Sequence, residues 1–335
     1  INQQKRLDLS NKNTYIFKSW NSENSPILPV LQIDQDENGT SKLWVHTNAV
    51  VERLELSSKK CLEVFFNRFE SFPLLDKWQN YLSNEICNAS KFNIGETNEA
   101  ISLCIELNAE NEITTWSFHL TKIKCSLLVE NNHLDALLTR KSNTRITSRI
   151  LKPIKDYVKD LDKIIEISKI FRKKQLLNGK IEIPKPNNNI ESLKEFLIHN
   201  PVDFAKEYFE PLNNSDIQTY LSPILYEANS IWFNHSHNYG LNNASYIYKE
   251  LDYINVNDII KNSELIDNEI ELNENGTLPF NQLVGLCSDD NKKRIFHKIL
   301  INILRDNEVT LITKDDNFKE SEEIISPWTM PSYDF

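Results

Sequence analysis

Only six glycines occur in the 335 residues. No Gly-rich phosphate loop of the P-loop or dinucleotide type is present, which removes the usual ways of cradling a nucleotide on backbone N–H groups. No CxxC pair occurs either. The five cysteines, Cys61, Cys87, Cys104, Cys125 and Cys287, are odd in number and widely spaced, as expected of reduced, buried thiols in a cytoplasmic protein. No apolar run reaches the roughly 18 residues of a membrane-spanning helix, and no signal peptide is visible. Positive charge is also in deficit, with a net charge of -10. A domain that grips nucleic acid through its phosphates is usually basic, so any such grip here must be local or come from flanking domains. A Gly-x-Ser-x-Gly nucleophile elbow is missing as well.

What is present is a sizeable core: 40% of the chain is hydrophobic and 26% charged, enough for one large domain or two modest ones. Residues 27–33 (ILPVLQI) and 42–46 (KLWVH) flank Asp36-Glu37-Asn38-Gly39, a strand, turn, strand pattern with Asn-Gly as the turn. A second strand pair is expected at 100–107 and 112–119 across Asn108-Ala109-Glu110-Asn111, with 122–129 continuing the sheet. One helix is expected around 58–67. Helical spacing then takes over. Residues 151–177 place Ile154, Tyr157, Leu161, Ile164, Ile165, Ile167, Ile170, Phe171 and Leu176 three and four apart. Pro153 stands near the start and Asn178-Gly179 after the end. A short strand fits 180–186, and further helices fit 215–235 and 291–305. The fold class is α+β: a mixed β-sheet or barrel core in the first half, 1–130, surrounded by helices from the α-rich second half, 150–335. No domain boundary interrupts 1–335. The absence of an initial Met and the abrupt end at Tyr333-Asp334-Phe335 suggest a piece of a longer chain.

Several phrases then line up in order. They are Arg6-Leu7-Asp8-Leu9-Ser10, Leu43-Trp44-Val45-His46, Pro73-Leu74-Leu75, Leu82-Ser83-Asn84-Glu85-Ile86-Cys87 and Ala100-Ile101-Ser102-Leu103. Further on come Arg172 with Gly179-Lys180-Ile181-Glu182-Ile183, Glu227-Ala228-Asn229, Gly240, Ile247-Tyr248-Lys249, Ser326-Pro327 and Tyr333-Asp334. Together they resemble the RNB domain, the catalytic domain of the ribonuclease II and ribonuclease R family. The LSNEIC block is the most specific of them.

The resemblance implies a 3′→5′ exoribonuclease scaffold, and it also locates what is missing. The family holds magnesium with aspartates in an early D-x5-D-x-D-D loop. Here residues 18–33 read KSWNSENSPILPVLQI with one carboxylate, Glu23. A gap-free alignment puts Trp20, Pro26, Leu28 and Pro29 at the four positions, and none of these side chains is a hard oxygen ligand. Asp34, Asp36 and Glu37 come later and are expected at the hairpin turn as solvated residues. Phe66 falls on the first aromatic of the family's base clamp, although after Val64-Phe65 it also fits a core position. Ile183 falls on the second, so half of the sandwich is missing. Ser222-Pro223 replaces an acidic pair, and Trp328, Thr329, Met330 and Pro331 replace phosphate-binding arginines. Tyr248 and Lys249 fall on the family's I-Y-R phrase, where Lys249 is either a phosphate contact or a solvated lysine.

The expectation is therefore an RNB-like domain with lost or impaired catalysis, kept as an RNA-binding or interaction scaffold. Its expected substrate-binding residues are Phe66, Tyr248 and Lys249, with no catalytic or metal-ligating residue and no cofactor. Weak single-stranded RNA and a protein are the expected partners, with no DNA or membrane and a cytoplasmic location. The alternative is an active, divergent exoribonuclease using Mg²⁺; a third reading is a structural subunit without RNA contact. His235-Ser236-His237 reads as a polar helix end. Lys169, Arg172, Lys173 and Lys174 read as a solvated basic face or a docking surface for RNA or a partner.

Overall fold

The alternation in the first 130 residues folds into a seven-stranded mixed sheet. The computed structural model describes residues 5–18, 28–36, 39–49, 72–74, 77–79, 88, 91–140, 148–177, 185–186, 209–210, 217–241, 243–248, 308–313 and 323–325. The strands are β1 (Leu7–Asp8), β2 (Thr14–Phe17), β3 (Val30–Gln35), β4 (Ser41–Asn48), β5 (Phe72–Leu74), β6 (Lys77–Gln79), β7 (Thr97–Leu107), β8 (Ile113–Lys124) and β9 (Leu127–Val129). Strands β10 (Lys185–Pro186), β11 (Phe209–Glu210), β12 (Asn243–Tyr248), β13 (Glu308–Ile312) and β14 (Glu323–Ile325) follow. The helices are α1 (Asn131–Thr139), α2 (Val158–Leu177), led in by a 3₁₀ helix at Lys152–Tyr157, and α3 (Ile217–Asn238). The helices expected at 58–67 and 291–305 lie outside the described residues.

The residues group into two compact units. The first is Ile1–Ile170, Asn213–Leu225 and Thr329–Tyr333; the second is Phe171–Leu212, Tyr226–Trp328 and Asp334–Phe335. In the first unit the sheet order is β1-β8-β7-β4-β3-β2-β9. The sheet is open, so of the two expected forms it takes the sheet and not the closed barrel. Hairpin β3–β4 pairs Leu31 with Val45 and Ile33 with Leu43, and β4 pairs Val45 with Leu103 and Leu43 with Ile105. Residues opposite one another share a face. One face therefore carries Tyr15, Leu31, Leu43, Val45, Leu103 and Ile105, all fully buried. Each such side chain contributes on the order of 1.5–3 kcal/mol through removal from water.

Helix α2 covers this face. The Tyr15 and Tyr157 rings meet edge-on at 6.0 Å, the Tyr15 hydroxyl donates to Asp160 Oδ2 at 2.6 Å, and Asn111 Nδ2 donates to Glu166 Oε1 at 3.1 Å. Of the apolar positions anticipated for this helix, Ile154, Leu161, Ile164, Ile165, Ile167 and Phe171 are buried. The two hairpin turns use left-handed backbone at Gly39 (φ 81) and Asn111 (φ 61), where Gly and Asn carry the least strain.

One expectation is refined and one corrected. Residues 122–129 continue the sheet as expected, but not as one strand. β8 stops at Lys124, the Ser126 N–H donates to the Thr14 carbonyl at 2.8 Å, and β9 crosses to the far edge, where it pairs in parallel with β2. Asp34 is not a turn residue: it lies in β3 opposite Lys42. Helix α1 was not anticipated. His133 Nδ1 accepts the Glu130 backbone N–H at 3.1 Å and closes its first turn.

In the second unit β12 is flanked by β13 and β14, both antiparallel, and β10 pairs with β11. Gln175 Nε2 donates to Glu227 Oε1 at 2.9 Å, and Ala228 and Asn229 are fully buried. This burial gives the Glu227-Ala228-Asn229 phrase a packing role.

Candidate functional site

The stretch expected to hold metal connects β2 to β3. Its entry is fixed by the Lys18 N–H donating to the Val129 carbonyl at 2.9 Å and by Lys18 Nζ, 3.3 Å from Glu130 Oε1. Its exit is half-buried Leu28 and buried Pro29, which lead into Val30. Trp20, Glu23 and Pro26 lie outside the described residues.

The carboxylates that follow are committed elsewhere. Asp34 Oδ2 accepts Gln32 Nε2 at 3.0 Å and Trp44 Nε1 at 3.2 Å, while Oδ1 faces Lys12 Nζ at 3.0 Å. Five residues of extended chain separate it from Pro29, roughly 17 Å. A Mg²⁺ ligand must reach about 2.1 Å from the ion, so Asp34 and a side chain at Pro29's position could not share one. Asp36 closes the β3–β4 turn by accepting the Thr40 backbone N–H at 3.0 Å and the Thr40 hydroxyl; its expected role as a turn residue holds. Glu37 lies outside the described residues. The described residues contain no group of three or more His, Cys, Asp or Glu side chains able to hold a metal.

The opening R-x-D phrase is structural. Arg6 reaches across the edge strand to donate to the Ala100 and Thr121 carbonyls at 3.2 and 3.4 Å, with Glu99 3.4 Å away. Asp8 accepts the Ser10 hydroxyl at 2.6 Å and its backbone N–H at 2.9 Å, bonds that hold the carboxyl below its ordinary pKa.

Of the three expected substrate-binding residues, Phe66 and Lys249 lie outside the described residues, as does Ile183. Tyr248 ends β12, opposite Glu323 of β14. Ser222 and Pro223 lie within α3, Ser222 half-buried and Pro223 buried. His235 and His237 occupy the last turn of α3 amid rings. His235 stands 4.6 Å from Tyr239 and 6.1 Å from Trp232, and His237 is stacked at 5.8 Å on Phe233. Cys104 and Cys125 are free and buried, and burial pushes their thiols up to about 11 and about 12. Such thiols stay protonated and unreactive near neutral pH. Cys61, Cys87 and Cys287 lie outside the described residues.

A polar cluster that the sequence reading missed occupies the other face of the sheet. His46 Nδ1 lies 2.7 Å from Ser102 Oγ, which lies 2.7 Å from Thr121 Oγ1. All three side chains are fully buried. The Trp44 ring is parallel to that of His46 at 6.0 Å. Burial lowers His46 to about 3, so the imidazole is neutral. A Ser next to a His resembles a nucleophile–base pair. Here neither side chain reaches solvent and Ser102 is also bonded to Thr121, so the cluster is a structural crosslink of β4, β7 and β8. The alternation His46, Ser102, Thr121 was visible in the strands, but period two alone does not say that the polar face is also covered.

The RNB domain family model matches residues 6–325. The chain belongs to the RNB domain family. Among solved structures it is similar to RNase R of Mycoplasma genitalium in complex with double-stranded RNA, at 12% identity and TM-score 0.70, over 92% of this chain and 52% of that one. It is also similar to an active-site mutant of the Dss1 exoribonuclease of Candida glabrata, at 15% identity and TM-score 0.57, over 74% and 31%. Yeast Ssd1, a pseudonuclease, matches at 16% identity and TM-score 0.63, over 93% and 36%. The chain thus spans about half or less of each relative. No curated protein matches in sequence. At such identities the likeness shows the fold.

Proposed function

We propose that this chain is a single RNB domain whose metal-dependent hydrolysis is lost or impaired, retained in the cytoplasm as a scaffold for single-stranded RNA or a protein partner. The carrying observation is the acid count between β2 and β3. One carboxylate, Glu23, stands where the family gathers several, and the next acid, Asp34, is tied to Lys12, Gln32 and Trp44. A two-metal phosphodiester cleavage needs both ions clamped by hard oxygens, and a lone carboxylate is insufficient. The likeness to a solved pseudonuclease supports the same reading, and the RNase R structures bound to RNA support RNA as the ligand. In this reading Phe66 supplies one stacking surface, and Tyr248 and Lys249 supply further contacts to the strand. Incubating the protein with a 3′-labelled single-stranded RNA and Mg²⁺ tests it. The expected result is no processive nucleotide release; sustained release abolished by chelator would establish the divergent, active alternative.

A further inference from the structure

The lead-in to α2 concentrates cations, and two of the three acids among them are turned elsewhere. Residues 148–163 hold Arg149, Lys152, Lys155, Lys159 and Lys163 against Asp156, Asp160 and Asp162. Asp160, half-buried, accepts the Tyr15 hydroxyl and Asn13 Nδ2. Asp162 is paired with Arg140, and Lys163 lies 3.3 Å from Glu166. Arg149, Lys152, Lys155 and Lys159 are all exposed. Among the described residues none of these four makes an ion pair, and Asp156 is the one exposed carboxylate within the segment.

Their phase is fixed by the core. Leu151, Ile154 and Val158 are buried at 1%, 5% and 5% exposure, and each lysine directly follows one of them. The three lysines therefore share one offset from the buried stripe and run as a row. The step of four from Lys155 to Lys159 advances about 6 Å along the axis, while Lys152 and Lys155 flank a kink at Ile154. The step of four is shorter than the Debye length of about 8 Å at physiological salt, so the fields of Lys155 and Lys159 add. Like charges at this spacing destabilise a helix, and Asp156 is the one exposed carboxylate set against the four cations.

We propose that Lys152, Lys155 and Lys159, headed by Arg149, form a docking row for the phosphate backbone of single-stranded RNA. The inference rests on the RNA-scaffold reading and gives it a location outside the loop between β2 and β3. Lysine meets phosphate as a point charge, so the row binds without regard to sequence and is sensitive to salt.

The test is binding of a fluorescein-labelled oligouridine by the whole protein from 50 to 300 mM salt. The K152Q/K155Q/K159Q variant is compared with wild type and with K5Q/K122Q/K124Q, which removes three exposed lysines elsewhere. Each phosphate contact on a single strand contributes about 0.7 to the slope of log K against log salt. The row variant is expected to lose about 2 from that slope, with weaker binding at 50 mM salt and a melting temperature no lower than wild type. The control is expected to keep the wild-type slope. Wild-type binding with the slope unchanged in the row variant, or lowered equally in both variants, overturns the row and leaves the RNA-scaffold reading standing. Absence of salt-dependent binding by wild type overturns both. Polyglutamate occupying the row more tightly than RNA overturns the assignment in favour of an acidic protein partner.

Discussion

The buried His46 makes the stability of this domain dependent on acid in a calculable way. In the folded protein burial holds the imidazole pKa at about 3, with no charged neighbour contributing; in the unfolded chain it returns to about 6.5. Between those values the unfolded state binds a proton that the native state refuses, so stability rises with pH and is lost as pH falls below about 6.5. The loss is about 1.4 kcal/mol per pH unit, hence about 2 kcal/mol at pH 5 relative to pH 7.5. His46→Phe keeps a flat ring beside Trp44 and removes the titrating group, and Ser102 retains Thr121 as its partner. Urea unfolding of both proteins at pH 7.5, 6 and 5 isolates the effect, because every other titrating group is common to both. The wild-type minus variant stability should fall by about 2 kcal/mol across that range. A difference that stays flat, or an imidazole NMR titration near 6.5 in the folded protein, would refute the placement of His46 in a dry interior.

Leu103 lies on β7 at the middle of the sheet with no exposed surface. Leu103→Ala should cost about 2–5 kcal/mol in chemical denaturation, and a loss below 1 kcal/mol would contradict its burial. Tyr15→Phe deletes the hydroxyl that joins β2 to α2 at Asp160. Asp160 keeps Asn13 and partial access to water, so the expected loss is about 1 kcal/mol; an unchanged melting temperature would show that the bond contributes nothing.

Much of the sheet was legible because hydrophobic alternation and turn chemistry agree. Asn-Gly and Asn111 mark the two hairpins, and the apolar residues of 30–46 and 100–107 alternate toward α2. The helix over 158–177 was legible from its three-and-four spacing, although its first turn winds as 3₁₀ around Pro153. The short strands β1 and β2 were not legible, nor was the break that sends β9 to the far edge. Two to four residues carry too little periodicity, and their pairing partners, Thr121 for Leu7 and Leu127 for Tyr15, lie far away in sequence. Asp34 shows the limit for the site: the sequence places it near the turn, but only the register reveals Lys12, Gln32 and Trp44 around its carboxylate. The family phrases were legible in order, whereas the packing duties of Arg6, Asp8 and Ala228 needed coordinates.

The parallel ribbon at the outer edge of the sheet has a kinetic consequence. Arg6 grips the Thr121 carbonyl across 115 residues of chain. At about 5–20 residues per second, a ribosome needs roughly 6–23 s to make that partner. Until then β1 lacks the strand with which it pairs. Nascent chains arrested before residue 121 should therefore leave their first residues open to protease, and protection should arrive in one step when β8 emerges.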